Sequence, residues 1–264
     1  MRQVHSIITF LFFTVTGWFG AGAFAQENIN ANISDSKSNN DVQLLYRHER
    51  EFGVLMHSAG WGFNYRTCKH VTGYKKRVIE FELVTLSHPK EIKIQVPDIG
   101  TKGYYYGKQF DVIVSRTGLG YNKVITGKSD RRGVELRLLT MAGACLAFAK
   151  PIYVNIWHQD PVNPSFGNIT TEKYDPSNPM HTPAYIVGSA GYFTGFTEMN
   201  FFPGIFYKMG LSFEHSTLDD DIKLLEVGFV VDAYYKTIPM MANTQNNQVF
   251  LNLYLNVMIG KKWF

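Results

Sequence analysis

Near the end of the chain Val249, Leu251, Leu253, Leu255, Val257 and Ile259 alternate with Phe250, Asn252, Tyr254, Asn256 and Met258. A period of two places successive side chains on opposite faces of a strand. In a half-buried soluble strand the mixed face meets water and the aliphatic face is covered. Here the aliphatic face runs unbroken for about six positions, near the roughly 9–11 residues a tilted strand needs to cross a bilayer.

Two further segments repeat the pattern. Ile205, Tyr207, Met209, Leu211 and Phe213 alternate with Phe206, Lys208, Gly210, Ser212 and Glu214. Leu225, Val227, Phe229, Val231 and Ala233 alternate with Glu226, Gly228, Val230, Asp232 and Tyr234. In both, charge falls on one face only. A charge facing lipid costs roughly 2–4 kcal/mol near the midplane, so Lys208, Glu214, Glu226 and Asp232 are expected inside a barrel. Gly210 and Gly228 would make room for them in a narrow lumen. Earlier in the chain Val134, Leu136 and Leu138 oppose Glu135 and Arg137, while Ile79, Phe81 and Leu83 oppose Glu80 and Glu82. These add Glu80, Glu82, Glu135 and Arg137 to the expected interior. Ile152, Val154 and Ile156 oppose Tyr153 and Asn155 in the same manner.

The pattern predicts an all-β fold, an antiparallel transmembrane up-and-down β-barrel. Its eight strands fall near 51–68, 76–86, 108–118, 133–148, 150–157, 203–215, 222–236 and 248–262, or ten if 119–127 and 185–197 also pair. The first of these changes phase, because Phe52, Val54 and Met56 are even whereas Trp61, Phe63 and Tyr65 are odd. Either a bulge near 57–60 or two separate strands explains the slip. With both termini periplasmic, 150–151 and 216–221 become periplasmic turns, and 119–132, 158–202 and 237–247 lie outside. Residues 87–107 then form a long periplasmic loop, against the usual rule of short periplasmic turns. On this topology Cys68 lies at the outer rim and Cys145 at the periplasmic rim, too far apart to bond, as two free, buried thiols.

Composition agrees with a membrane barrel. The 264 residues are 45% hydrophobic and 15% aromatic, with only 18% charged, against about 25% in a typical soluble domain. No uninterrupted apolar run of roughly 18 residues follows the N-terminus, so no helix is expected to span a bilayer. A net charge of +4, scattered along the chain, excludes a nucleic-acid-binding surface. At the N-terminus Arg2, the apolar run Ile7–Phe13 and Ala23-Phe24-Ala25 make residues 1–25 a secretory signal peptide. Residues 26–41, rich in Asn and Ser, read as a disordered leader, leaving 42–264 for the barrel.

Candidate chemistry is sparse. His57-Ser58 and His215-Ser216 invite comparison with serine hydrolases, but adjacent strand residues point to opposite faces. His158, Asp160, Asp175 and His181 share the long outer connection at a spacing that matches no metal-ligand pattern. Neither a phosphate-binding loop nor a dinucleotide fingerprint occurs, so no cofactor is expected. The interior charges read as a salt-bridged plug, with a proton or ion path as the alternative.

The chain closes on Trp263-Phe264, an aromatic ending after an amphipathic strand of the kind barrel-assembly machinery reads during insertion. Trp263 is in phase with the aliphatic face and Phe264 is not. Lys69-His70-Val71-Thr72-Gly73-Tyr74-Lys75-Lys76-Arg77, His88-Pro89-Lys90-Glu91-Ile92, Glu172-Lys173-Tyr174-Asp175-Pro176 and Met258-Ile259-Gly260-Lys261-Lys262-Trp263-Phe264 carry a further signal. Through them the chain resembles, over about residues 42–264, a family of outer-membrane β-barrel proteins of Bacteroidota. The resemblance implies a fold and the bacterial outer membrane, with no catalytic motif to transfer, and a place beside barrels accessory to secretion or barrel assembly. The function expected is non-enzymatic, structural or partner-binding, in contact with outer-membrane lipid and outer-membrane proteins. A narrow solute channel and a lipid-modifying enzyme are the alternatives.

Overall fold

A computed structural model of the chain describes residues 48–95, 102–127, 133–160, 163, 166–215, 221–242 and 244–263. The expected signal peptide, leader, Ser216 and Phe264 lie outside them. Eight strands form a closed antiparallel barrel: β1 His48–His57, β2 Gly60–Thr72, β3 Lys75–Leu86, β6 Phe110–Thr126, β7 Val134–Pro151, β11 Asn200–His215, β12 Asp221–Tyr234 and β13 Val249–Trp263. Each pairs with the next along the chain, and β1 closes on β13. Five shorter strands lie between them: β4 Lys93–Ile94, β5 Tyr104–Tyr105, β8 Tyr153–Gln159, β9 Gly167–Lys173 and β10 Ile186–Ser189. These build a crown from a β4–β5 hairpin and a β9–β8–β10 sheet.

The expected count of eight holds, but two of its members do not. The phase slip in the first segment marks two strands. His57 pairs with Gly60 across the tight turn at Ser58-Ala59, and β1 and β2 then run in register from Met56–Trp61 to His48–Lys69. Residues 150–157, in contrast, leave the barrel. β7 runs on to Pro151, and β8 pairs only with β9 and β10. Val154 and Ile156 are buried with Tyr104, Tyr174 and Ile186 in the crown, not turned to lipid. Residues 119–126 continue β6, and the sheet-forming part of 185–197 joins the crown.

These two changes invert the direction of the strands between them, and the loop anomaly disappears. His48 pairs with Trp263, so both chain ends of the barrel lie at one end. That end carries the connections 73–74, 127–133 and 216–220. The opposite end carries the turn at 58–59 and every long connection: 87–109, 152–199 and 235–248. Short turns at the end holding the termini and long ones at the other is the usual barrel arrangement. The described residues of 87–107 therefore belong to the crown, and Lys150-Pro151, expected as a periplasmic turn, are instead the end of β7 on that same side. The cysteines exchange ends as well. Cys68 pairs with Glu49 near the termini, and Cys145 pairs with Gly204 toward the crown. Both are free and buried.

The alternation settles into an inside and an outside. Leu251, Leu253 and Ile259 are 64–68% exposed, whereas Asn252, Tyr254, Asn256 and Met258 on the same strand are buried. The same contrast holds on β1, β2, β3, β11 and β12. A barrel with aliphatic side chains outside and charge inside is inverted relative to a soluble one. Its exterior is stable only in hydrocarbon, where closure leaves no strand edge unpaired.

Toward the crown the lumen turns apolar, filled by Leu55, Val84, Val114, Leu139, Met141 and Phe206 among others. The β12–β13 connection dips into this mouth, burying Ile238, Met240 and Met241. It is held there by the Gln109 amide donating to the Met240 carbonyl at 2.9 Å and the Ala242 amide to the Gly107 carbonyl at 2.6 Å. The Ile152 amide in turn donates to the Gln109 carbonyl, so the barrel mouth, the inserted loop and the start of the crown sheet share one backbone network.

Candidate functional site

The eight charged residues singled out in the sequence lie on the lumen side of their strands. Glu80, Glu82, Arg137, Lys208, Glu214, Glu226 and Asp232 are at most 1% exposed, and Glu135 sits at the rim with its side chain 17% exposed. The strands bring them into three tiers. At the end of the termini, Arg137 meets Glu135 at 2.6 Å, Glu49 at 3.4 Å and Glu214, while Lys76 holds Glu49 at 2.7 Å and Lys262 holds Glu214 at 2.7 Å. In the middle, Arg66 grips Glu226 through two bonds of 2.8 and 2.9 Å and also meets Glu80 and Glu51. Lys208 bridges Glu80 and Glu82. Toward the crown, Arg116 makes a two-pronged pair with Asp232, both bonds 2.7 Å, and reaches Glu82 at 3.0 Å.

Buried ions are tolerable only when paired with good geometry, and planar arginine forks supply it. The network links all eight strands through side chains, in addition to their backbone ladders. It also occupies the lumen across its width, as expected for an eight-stranded barrel filled by its own residues. Tyr254 completes the middle tier by donating to Glu226 at 3.0 Å beneath Lys208, whose ammonium lies 4.5 Å from the ring centre.

Reading the sequence did not find Glu49, Glu51, Arg66, Lys76, Arg116 or Lys262. Arg66 was visible in principle, since it shares the even face of 60–72 with Asn64 once β2 is separated from β1. Arg116 was not. It lies between Val112, Val114 and Gly118 on an interior face as apolar as the exterior one.

Glu49, Glu51 and Cys68 bring two carboxylates and a thiol within 4.8 Å of one another. The donor set does not suit a cation, because Arg66, Lys76 and Arg137 already neutralise the carboxylates. Among the described residues the expected His-Ser pairs show no dyad either, Ser216 lying outside them. Ser58 donates to Asn252 at 2.9 Å, His57 accepts from the Ala59 amide at 3.2 Å, and His215 stands exposed at the opposite end of the barrel.

In the crown, the structure joins two of the four residues expected as loop histidines and aspartates, through a third that the sequence did not single out. His158 and His181 both meet Glu172, at 2.7 and 3.2 Å. The His181 Nδ1 accepts from the Asp175 amide, so its Nε2 carries the proton and donates to the carboxylate. The Thr170 hydroxyl donates to the same carboxylate at 2.7 Å. That hydroxyl first, then the two histidines, hold Glu172 down to about 2 from 4.5. Asp175 and Asp160 cap turns instead, accepting the Ser177 and Asn163 amides. At the junction with the barrel, burial opposes the charge on Lys108, but Asp111 at 2.6 Å and Glu91 at 2.8 Å outweigh it and raise its pKa.

The crown surface has two prominent features. One is an open recess of about 490 Å³ lined by Lys93, Lys102, Lys150, Tyr153 and Tyr192. The other is the turn before β11, where Tyr192, Phe193 and Phe196 pack on one another with ring centres 5.5–5.9 Å apart. Phe193 is nevertheless 80% exposed and Tyr192 59%.

No family model matches the chain, and no curated protein matches it. Among solved structures, that of Ail, the attachment invasion locus protein of Yersinia pestis, is similar at 9% identity. The match covers 83% of this chain and all of that one, with a TM-score of 0.41. Ail in complex with the heparin analogue sucrose octasulfate matches at 9% identity over the same shares, TM-score 0.39. Neisserial surface protein A matches at 8% identity over 83% of this chain and 97% of that one, TM-score 0.39. The barrel here stands on its own strand register, independent of these likenesses.

Trp263, half of the expected assembly signal, ends β13. It stacks on His48 with ring centres 5.8 Å apart and lies under the Arg50 guanidinium at 4.5 Å. It therefore sits on the lipid-facing side at the end of the barrel that holds the termini.

Proposed function

We propose that this protein is a non-enzymatic barrel of the bacterial outer membrane, related to barrels of Bacteroidota, that holds its crown outside the cell to bind a protein partner. Its termini, with an export signal at the N-terminus and Trp263-Phe264 read by the assembly machinery, would face the periplasm. A role accessory to an outer-membrane secretion or assembly complex fits this design.

The observation that carries the reading is the pairing of a filled lumen with a structured, aromatic-bearing crown. A barrel that conducts needs an open path, whereas this one is spanned by three tiers of ion pairs and closed at its mouth by Ile238, Met240 and Met241. The crown, in contrast, invests backbone and side-chain order in a surface with Tyr192, Phe193 and Phe196 clustered and exposed. Exposed aromatic clusters of this kind are typical anchors of protein contacts.

The test is affinity purification from outer membranes of the native protein beside Y192S/F193S/F196S. A stable partner retained by the native chain and lost by the variant, with both inserted equally, supports the reading. A clean monomer from both refutes it. Planar-bilayer conductance addresses the channel alternative, for which the filled lumen predicts silence. Lipid A mass spectra with and without the gene address the enzyme alternative, and unchanged spectra are expected.

A further inference from the structure

We propose that the outward-facing cations at the end of the barrel holding His48 and Trp263 form a binding surface for anionic phospholipid headgroups of the adjoining leaflet. The inference rests on the transmembrane barrel, and not on the partner proposed for the crown.

Three cross-strand pairs carry it. Arg50 lies directly opposite Lys261, Lys69 opposite Arg77, and Lys75 opposite Lys123. All six side chains are exposed. Like charges directly opposite on one face of an antiparallel pair destabilise it, yet three such pairs recur around one rim. Among the described residues none of the six has a carboxylate within ion-pair distance. The nearest relief is aromatic: Arg50 over Trp263 and Lys75 over Tyr121 at 3.9 Å. Lys223 adds a seventh exposed cation, and Asp221, directly opposite Lys261 across β12–β13 but outside ion-pair distance of it, is the single outward carboxylate at this rim among the described residues.

The position of these cations identifies what should neutralise them. They lie on the lipid-facing rows, not on the lumen face. Arg50 precedes Phe52 by two residues, Arg77 precedes Ile79, Lys123 follows Tyr121, Lys223 precedes Leu225 and Lys261 follows Ile259. Two residues are about 6.6 Å along a strand. These five charges thus stand one step beyond a hydrocarbon-facing side chain, with Lys69 and Lys75 one step further out, near ring systems of the kind that mark the headgroup level. An anionic headgroup reaching this depth meets two cations at once and relieves their mutual repulsion. Among the described residues the opposite rim carries no such set: Met56, Trp61, Phe148, Phe201 and Val249 lie outward there, and Lys150, on the outward row of β7, is buried and meets Asp111 at 3.6 Å.

The test refolds the full chain into phosphatidylcholine vesicles with and without phosphatidylglycerol and reads the folded-to-unfolded ratio from urea titrations. An exposed cation beside an anionic surface is worth about fivefold at low salt. The native chain is expected to gain at least about tenfold from phosphatidylglycerol, with the gain shrinking as salt rises. K69Q/K75Q/R77Q/K123Q is expected to lose most of that gain. In phosphatidylcholine alone it should fold as well as the native chain or better, because two like-charge pairs are gone. R50Q/K261Q provides an independent second variant should the first not fold. K90Q/K93Q/K173Q/K236Q, with all four changes in the connections at the crown end, should keep the gain. The proposal is overturned if phosphatidylglycerol has no effect on the native chain, if the rim variants keep the gain, or if the crown variant loses it equally. It is also overturned if inorganic phosphate added to phosphatidylcholine vesicles reproduces the effect. Failure of all variants to insert into any vesicle would instead count against the transmembrane barrel itself.

Discussion

Gly210 on β11 lies directly opposite Gly228 on β12, and the Tyr254 hydroxyl from β13 covers both. A Cβ at Gly228 would come within 2.9 Å of that oxygen, and one at Gly210 would overlap it. The same device recurs toward the crown. Gly118 opposes Gly143, and the Phe206 ring would lie 2.6 and 2.9 Å from their Cβ atoms. Each glycine pair opens a slot in the wall that an aromatic side chain from a neighbouring strand fills, so that the loss of strand propensity is offset by packing.

Gly210→Val and Gly228→Val are therefore each expected to destabilise the barrel by about 1–3 kcal/mol through overpacking. Unfolding by urea in vesicles, followed by heat-modifiable migration on gels, measures the loss. Tyr254→Ala should be costly alone yet soften the effect of Gly210→Val, since the tightest contact there is removed with the ring. Additive losses in the double variant would mean that the tyrosine and the glycine do not share one slot.

Arg66 offers a second prediction. It is fully buried and answers Glu226, Glu80 and Glu51 from one guanidinium. Arg66→Met leaves carboxylates without their counter-charge and is expected to cost roughly 3–5 kcal/mol, whereas removing both partners in Arg66→Met with Glu226→Leu should recover part of it. Arg66→Lys should remain clearly destabilised, because a single ammonium cannot reproduce a two-pronged contact with Glu226 and still reach Glu80. The same urea titrations read all three variants.

How much of this was legible depends on what each strand faces. Where lipid lies on one side and ion pairs on the other, as at Leu251–Ile259 or Ile79–Leu83, the alternation is unambiguous and names both faces. It fails where both sides are apolar. Around Val112 and Val114 the lumen is itself hydrophobic, so Arg116 gave no phase to read. It also misleads in the crown, because Val154 and Ile156 alternate like lipid-facing residues while packing against Tyr104 and Ile186. Period-two patterning reports that one face is apolar but not what covers it. The tight turn at Ser58-Ala59 carries no glycine or proline of its own, so the boundary between β1 and β2 showed only as a change of phase. Glu172, the carboxylate that joins the crown histidines, lies in a stretch without periodic pattern, and only the β8–β9 pairing brings it to His158.

Glu172 leads to a pH prediction for the crown. Its carboxyl is depressed in the folded state from 4.5 to about 2 by Thr170 and the two histidines. A depressed acid contributes stability that is fully present above its unfolded value, and that contribution is lost as pH falls toward the folded value. The crown should accordingly hold constant above about pH 4.5 and loosen progressively down to about pH 2. Its exposure screens the effect, so the change should be modest. Peptic cleavage between Tyr153 and Lys173 at a series of acid pH values, compared with Glu172→Gln, measures it. The native chain should become more susceptible as pH falls while the variant changes little; parallel curves would show that the clamp does not hold the crown.

The cysteines give the last prediction, and it separates the strand topology from its rivals. Cys68 is 2% and Cys145 4% exposed, and the two lie toward opposite ends of the lumen: Cys68 is paired with Glu49 near the termini, Cys145 with Gly204 toward the crown. A thiol reacts as its thiolate and only where a reagent can reach it. Neither should label with a water-soluble maleimide in the folded, vesicle-embedded protein, and both should label once urea unfolds it. No disulfide should form under oxidation, because thiols at opposite ends of the lumen cannot approach bonding distance without unfolding. Gly73→Cys, in the β2–β3 turn, extends the test to topology. That turn is at the end holding the termini, so in intact cells the new thiol should be shielded from an impermeant maleimide, whereas Phe193→Cys in the crown should label readily. Labelling of Gly73→Cys from outside would place the termini on the wrong side and with them the crown.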